Sequence, residues 1–260
     1  MSADADRFDG KVVLVTGSSS GTGACIALSF AKLGSRVAIH YRSDLAGAQR
    51  LVGAIMREGH EAVAFRADLC DSAQTRQLAA DIAMRLGPVD ILVNNAGPFV
   101  GTPLLELKDA AWDAVMAANL RAPFQLAQEL GPGMIRKGWG RIVNLGATSG
   151  LVRNHSVYGL AKAGLIHLTE SLALELAPQV TVNAVIPSQI ASARTDELVE
   201  YKQAAIAGTP LGRLVTEQEI ANVVIRICGP EFDFMTGRSI VLDGGRALPR
   251  FPRLELGAEG

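Results

Sequence analysis

Cysteine is scarce in this chain: Cys25, Cys70 and Cys228 form an odd, scattered set among 260 residues. That spacing gives neither a disulfide framework nor a metal-ligand cluster, so the three read as buried, reduced thiols. Net charge is nearly absent, at −1, which leaves no electrostatic footprint for nucleic acid or an anionic membrane surface. No apolar run is long enough to span a bilayer. Residues 1–10 are polar and acidic, without the apolar centre of a secretory signal. The cytoplasm is therefore the expected location, with no membrane or nucleic-acid partner. Linkers, low-complexity tracts and repeats are missing too, and one domain over 1–260 is expected. What is there is globular: 48% hydrophobic and 20% charged residues, in a length sufficient for one large α/β core.

The pattern is an alternation. Apolar, β-branched runs at 11–16, 36–41, 62–67, 90–94, 141–145, 181–186 and 239–242 read as strands. Between them, 24–33, 45–57, 72–86, 109–137, 156–176 and 217–228 read as helices. Asp44 and Ser72 stand where caps are expected, and a polar interruption at 118–120 divides 109–137 into two segments. Strands alternating with helices imply an α/β fold with a parallel sheet covered on both faces. Ligands in such sheets bind at the carboxyl ends of the strands. The loops 17–23, 41–43, 68–69, 94–97, 146–155 and 187–192 all follow strands and are expected to form one site.

Three stretches carry chemistry. The run 16–23, TGSSSGTG, sits between a strand and a helix. Gly17 permits a tight turn, and Gly21 and Gly23 allow close backbone approach to a dinucleotide's pyrophosphate at a helix N-terminus. The second strand ends in Tyr41-Arg42-Ser43, without the carboxylate that would bind the ribose hydroxyls of NAD. An arginine and a hydroxyl there suit the 2′-phosphate of NADP. Tyr158 and Lys162 are four residues apart and share one helix face. A nearby lysine cation favours the phenolate and is expected to lower the tyrosine pKa, making a tunable acid–base group.

Taken together, the residues resemble the short-chain dehydrogenase/reductase family, in particular its 3-oxoacyl-ACP-reductase-like members. The resemblance covers about 9–245. It rests on T-G-x-x-x-G-x-G at 16–23, N-N-A-G at 94–97, Asn119, Y-x-x-x-K at 158–162 and V-N-A-V-x-P at 182–187. It implies a Rossmann-like, doubly wound sheet of about seven strands, a nicotinamide cofactor and a homotetramer or homodimer. By the same resemblance, Tyr158 is the general acid, Lys162 tunes it and holds the nicotinamide ribose, and Asn119 helps hold a water. Cofactor contacts fall to Gly17, Ser19, Ser20, Gly21, Thr22, Gly23, Tyr41, Arg42 and Ser43. Further along the chain they fall to Asp68, Leu69, Asn95, Ala96, Gly97, Tyr158, Lys162, Pro187, Ser188, Ile190 and Ser192. Residues 188–212 would be the substrate lid and 246–260 a C-terminal tail.

Three departures stand out. Thr22 replaces an isoleucine, Ser188 replaces the glycine after Pro187, and Ala147 occupies the place of the catalytic serine. Thr148, or failing it Ser149, is the expected surrogate hydroxyl. His155 could line the pocket, while His40 and His60 look structural or solvated, and Trp112 and Trp139 look like packing residues. The expected function is NADP(H)-dependent hydride transfer to a partly apolar carbonyl: a 3-oxoacyl thioester, or a cyclic or sugar-derived ketone. The alternatives are a cofactor-binding protein with impaired catalysis, marked by Ala147, and a purely structural protein with an idle glycine loop.

Overall fold

Val12–Val15 (β1) is buried along its whole length, and its side chains alternate between two cores, Val13 and Val15 in one, Val12 and Leu14 in the other. A strand with both faces covered must be apolar at every position, which is why it reads as an uninterrupted run. The structure, a computed structural model, describes residues 8–152 and 156–248. The elements that follow are α1 (Gly21–Lys32), β2 (Arg36–Tyr41), α2 (Leu45–Arg57), β3 (Ala62–Arg66), α3 (Ser72–Leu86) and β4 (Ile91–Asn94). Next come α4 (Asp109–Met116), a π turn (Ala117–Arg121), α5 (Ala122–Lys137), β5 (Gly140–Leu145), α6 (Val157–Leu176) and β6 (Val180–Pro187). The chain closes through β7 (Ile190–Ala191), α7 (Ala193–Asp196), α8 (Val199–Ala207), β8 (Val215–Thr216), α9 (Glu217–Cys228) and β9 (Ser239–Leu242).

Seven strands form one sheet in the order β3-β2-β1-β4-β5-β6-β9, every neighbouring pair parallel. This is the expected doubly wound Rossmann-like sheet. Ile26 and Phe30 of α1, Ile55 of α2 and Val224 of α9 cover one face. Ile82 of α3, Leu126 and Met134 of α5 and Leu172 of α6 cover the other. Phe30 is fully buried, and truncating such a side chain typically costs about 3–5 kcal/mol. The order steps outward from β1 in both directions, so the crevice between β1 and β4 is the switch point where ligands are bound.

Several local expectations need correction. Asp71, not Ser72, caps α3: its Oδ1 accepts from the amides of Ala73 (2.8 Å) and Gln74 (3.2 Å). The interruption at 118–120 is a π turn within one continuous helical rod, not a break. Cys25 and Cys70 are only half-buried, while Cys228 is buried; all three are free. The short β7–β8 ribbon, Ile190–Ala191 beside Val215–Thr216, was not expected. Asp44 caps α2 as expected, its Oδ1 accepting from the Gly47 amide at 2.8 Å. Trp139 packs between Lys11 and Arg141, whose cations lie 4.2 and 4.4 Å from its ring centroid. His155 and the tail from 249 onward lie outside the described residues. Among the described residues no helix is long and apolar enough to cross a membrane, and no cluster of metal-ligating side chains occurs.

Candidate active site

The glycine-rich turn after β1 is built around backbone crowding. Gly17 and Gly21 have φ of +63° and +58°, where a side chain is strained. A Cβ on Gly23 would lie 2.4 Å from the Gly17 carbonyl oxygen and 2.6 Å from Asn95 Nδ2. α1 begins without a side-chain cap at Ser20 and without an acid in its first turn. Its first amides and the positive end of its dipole suit an anion such as a diphosphate, with Glu217 Oε1 of α9 at the edge, 3.4 Å from where a Cβ on Gly21 would lie. The N-N-A-G loop is tied to this turn. Thr16 Oγ1 accepts from the amides of Asn95 (2.9 Å) and Ala96 (3.0 Å), and Asn95 Nδ2 donates to the carbonyls of Thr16 and Gly17.

His40 has a larger part here than the sequence suggests. It is buried, its Nδ1 accepts from the Gly17 amide at 2.9 Å, and its Nε2 lies 3.1 Å from the Ala67 carbonyl oxygen. That pairing assigns the proton to Nε2. Burial holds its pKa down to about 4, so the neutral ring pins the glycine turn across β2 to β3. The signal in the sequence is one histidine inside the apolar run 36–41.

A cleft of about 370 Å³ opens beside it. Gly17, Ser19, Tyr41, Arg42, Ser43, Asp68, Leu69, Asn95, Ala96 and Gly97 all line it. Arg42 and Ser43 are exposed at its lip, and among the described residues Arg42 forms no ion pair. Cys70, Pro98 and Ala118 line the cleft as well, without any signal in the sequence. A second hollow, about 120 Å³, brings Thr22, Asn95, Gly97, Ala147, Tyr158, Lys162, Pro187, Ser188 and Ile190 together. Ser20, Gly21, Thr22, Ile190 and Ser192 share a third opening with Ala193 and Glu217. The described residues of the expected loops that line these hollows therefore converge on one edge of the sheet.

Tyr158 lies edge-on to Phe99, ring centroids 5.2 Å apart. Lys162 Nζ donates to the Leu145 carbonyl at 2.7 Å and lies 5.5 Å from the Tyr158 ring centroid. Burial governs both groups: it pushes the Tyr158 phenol up to about 12 and the Lys162 ammonium down to about 8. The expected lowering of the phenol by the lysine is not present in this arrangement. Desolvation outweighs a cation turned toward a carbonyl, and the phenol is kept protonated. Asn119, buried on the π turn, donates through Nδ2 to the Pro98 and Val115 carbonyls at 3.1 Å each. Its Oδ1 is buried without a donor among the described residues, the kind of orphan acceptor a water satisfies.

Ala147 is extended and faces the hollow. Thr148 and Ser149 enter a 3-10 turn, Thr148–Gly150, and neither lines the hollow; Ser149 Oγ is buried without a hydrogen-bond partner among the described residues. Gly150 sits so tightly on α6 that a Cβ would lie 2.8 Å from the Lys162 carbonyl carbon. Outside the cleft, an apolar groove of about 560 Å³ runs between α4–α5 and α6, lined among others by Met116, Leu120, Phe124, Gly164 and Leu168.

Known proteins share this fold. Residues 17–247 match a family model described as enoyl-(acyl carrier protein) reductase. The chain is 36% identical over 239 residues to the 3-oxoacyl-[acyl-carrier-protein] reductase FabG of Staphylococcus aureus, covering 90% of this chain and 97% of that one. A gluconate 5-dehydrogenase from Burkholderia cenocepacia, solved with NADP and tartrate, superposes with a TM-score of 0.87 at 28% identity, over 95% of this chain and 99% of that one. A blue fluorescent protein from a metagenomic library, solved with NADPH, gives 0.84 at 34% identity over 93% and 99%.

Proposed function

The chain belongs to the short-chain dehydrogenase/reductase family, is similar to its 3-oxoacyl-acyl-carrier-protein reductases and acts as an oxidoreductase on C=O or CH–OH groups, and we propose that it uses NADP(H) with Tyr158 as general acid and base. The observation that carries this reading is the convergence of Tyr158 and Lys162 with the cofactor loops in one connected edge. A bound nicotinamide would supply the hydride. Tyr158 supplies the proton, so that carbonyl, NADPH and one proton give alcohol and NADP⁺. A phenol held protonated by burial is the form a reduction needs. Lys162, at the rear of the hollow, would hold the ribose, and the orphan Oδ1 of Asn119 would anchor a water on the route by which Tyr158 regains its proton.

Arg42 and Ser43 at the lip support NADPH over NADH: a guanidinium there pairs with a 2′-phosphate, while Asp44 is engaged in capping α2. The substrate is a partly apolar carbonyl compound, a 3-oxoacyl thioester or a cyclic or sugar-type ketone. Exposed Phe99, Leu151, Val152 and Leu198 support the apolar part. Residues 188–212 would be its lid and the assembly a homotetramer or homodimer. Thr148, the surrogate hydroxyl suggested by the sequence, would have to swing its turn inward to reach the substrate. Because Ala147 faces the hollow, a cofactor-binding protein with impaired turnover is the second reading. The test is Tyr158→Phe: carbonyl-dependent NADPH oxidation should vanish while NADPH still binds. Tight binding with no turnover by the wild type on any carbonyl would favour the second reading.

A further inference from the structure

Ala147 removes a hydroxyl from the reacting edge, and Ser188 adds one. β5 and β6 are adjacent and parallel, Leu145 opposite Val185, with the Gly146 amide donating to the Val185 carbonyl at 2.8 Å. Ala147 and Ser188 therefore leave neighbouring strand ends at nearly the same height. Both line the hollow that holds Tyr158 and Lys162. The Ser188 backbone is fixed by its N–H, which donates a hydrogen bond to the Leu242 carbonyl at 3.1 Å. Its hydroxyl makes no hydrogen bond among the described residues, and the side chain is half-buried. Thr148 is held off by the seat of Gly150 on α6. We infer that Ser188, just past the end of β6, supplies the second hydrogen-bond donor to the substrate oxygen, in place of the hydroxyl missing at Ala147 just past β5.

This inference rests on the carbonyl-reductase reading above. Ser188 keeps its proton throughout; its O–H donates to an oxygen gaining negative charge while Tyr158 gives up its own proton. Two donors hold the carbonyl in line for hydride and stabilise the charge more in the transition state than in the bound ketone, so the effect falls on kcat rather than KM. Ser188 also borders a smaller hollow lined by Leu211, Arg213, Leu242 and Asp243. A hydroxyl turned there would only pack, and the variants separate the two cases.

The experiment measures NADPH oxidation with acetoacetyl-coenzyme A and with cyclohexanone as probes, alongside NADPH binding by fluorescence. Ser188→Ala should lower kcat by about 100- to 1000-fold, the usual effect of losing one such donor, with KM for the carbonyl probe changed less than about threefold. Ser188→Thr should keep most of the rate. The double variant Ala147→Ser/Ser188→Ala should recover much of it, a rescue across strands that a merely structural serine would not show. Full activity in Ser188→Ala overturns the proposal, as does a silent Ser188→Ala paired with a large loss in Thr148→Val. Wild-type protein that binds NADPH yet turns over neither ketone removes the reductase reading, and this proposal with it.

Discussion

The neutral ring of His40 makes a statement about pH. Unfolded, its pKa is near 6.5; folded, burial lowers it to about 4. The unfolded chain thus binds the extra proton first as pH falls. Stability from this group is fully present above pH 6.5 and is lost progressively between about 6.5 and 4. The shift corresponds to about 3 kcal/mol. Protonation would also turn Nδ1 from acceptor to donor and break its bond to Gly17. Urea midpoints taken from pH 7 down to pH 4 should fall steeply for the wild type and less steeply for His40→Asn. Parallel curves would show that another group governs the acid limb. Arg42 gives a second residue-scale prediction. Arg42→Ala should weaken NADPH by about 1.5–3 kcal/mol if the charged contact to the 2′-phosphate forms, and leave NADH nearly unchanged. Equal losses for both cofactors in a binding titration would remove Arg42 as the reader of that phosphate.

At the scale of elements, the glycine turn is held by contacts that tolerate no added atom. Gly23→Ala would push a methyl against the Gly17 carbonyl and Asn95 Nδ2, displacing the start of α1. A displacement of about 1 Å at such a site costs on the order of 100-fold in rate, so carbonyl-dependent turnover should fall by about that factor and NADPH affinity should fall with it, while circular dichroism stays native-like. Unchanged affinity would mean the turn is not the phosphate seat. These elements were legible in the sequence because parallel strands covered on both faces must be apolar throughout, and because glycines in a strand–turn–helix context have few other uses. The cap of α3 was misread by one residue since Asp71 and Ser72 are both good caps. The polar stretch 118–120 marks the place of the π turn at Ala117–Arg121 but not its kind, as such a turn adds one residue to a helical rod without changing which residues form it. β7 and β8, two residues each, are too short for any periodicity. The role of His40 was hidden because its partners lie 23 and 27 residues away, and long-range hydrogen bonds have no local signature. The placement of Ala147 and Ser188 in one hollow needs the register of β5 on β6, which spacing alone does not give.

At the scale of the whole molecule, an apolar groove runs between α4–α5 and α6, and shares no lining residue with the cofactor cleft. Phe124 and Leu160 are exposed on α5 and α6, as is Trp112 on α4, and Met116, Leu120 and Leu168 line the groove between these helices. Gly164 lets the two walls approach: a Cβ there would lie 3.0 Å from Leu120 Cδ2. A contiguous apolar surface on two long helices is the kind of patch that subunit contact covers. A second copy related by a two-fold axis would set α5 and α6 against their counterparts and shield the same residues on both chains. A stable interface of this kind buries about 1,600 Å² in total, which two helices of 16 and 20 residues can supply. α6 also carries Tyr158 and Lys162 toward the hollow, so the contact would brace the catalytic helix from behind. The wild type should therefore run as a dimer or tetramer in light scattering at micromolar concentration. Phe124→Glu, which places a charge in the centre of the contact, should shift the mass toward the monomer and lower the melting temperature, while NADPH affinity stays within about threefold because the cofactor cleft lies elsewhere. A monomeric wild type, or a Phe124→Glu protein whose mass does not change, would mean that this groove is not the subunit contact.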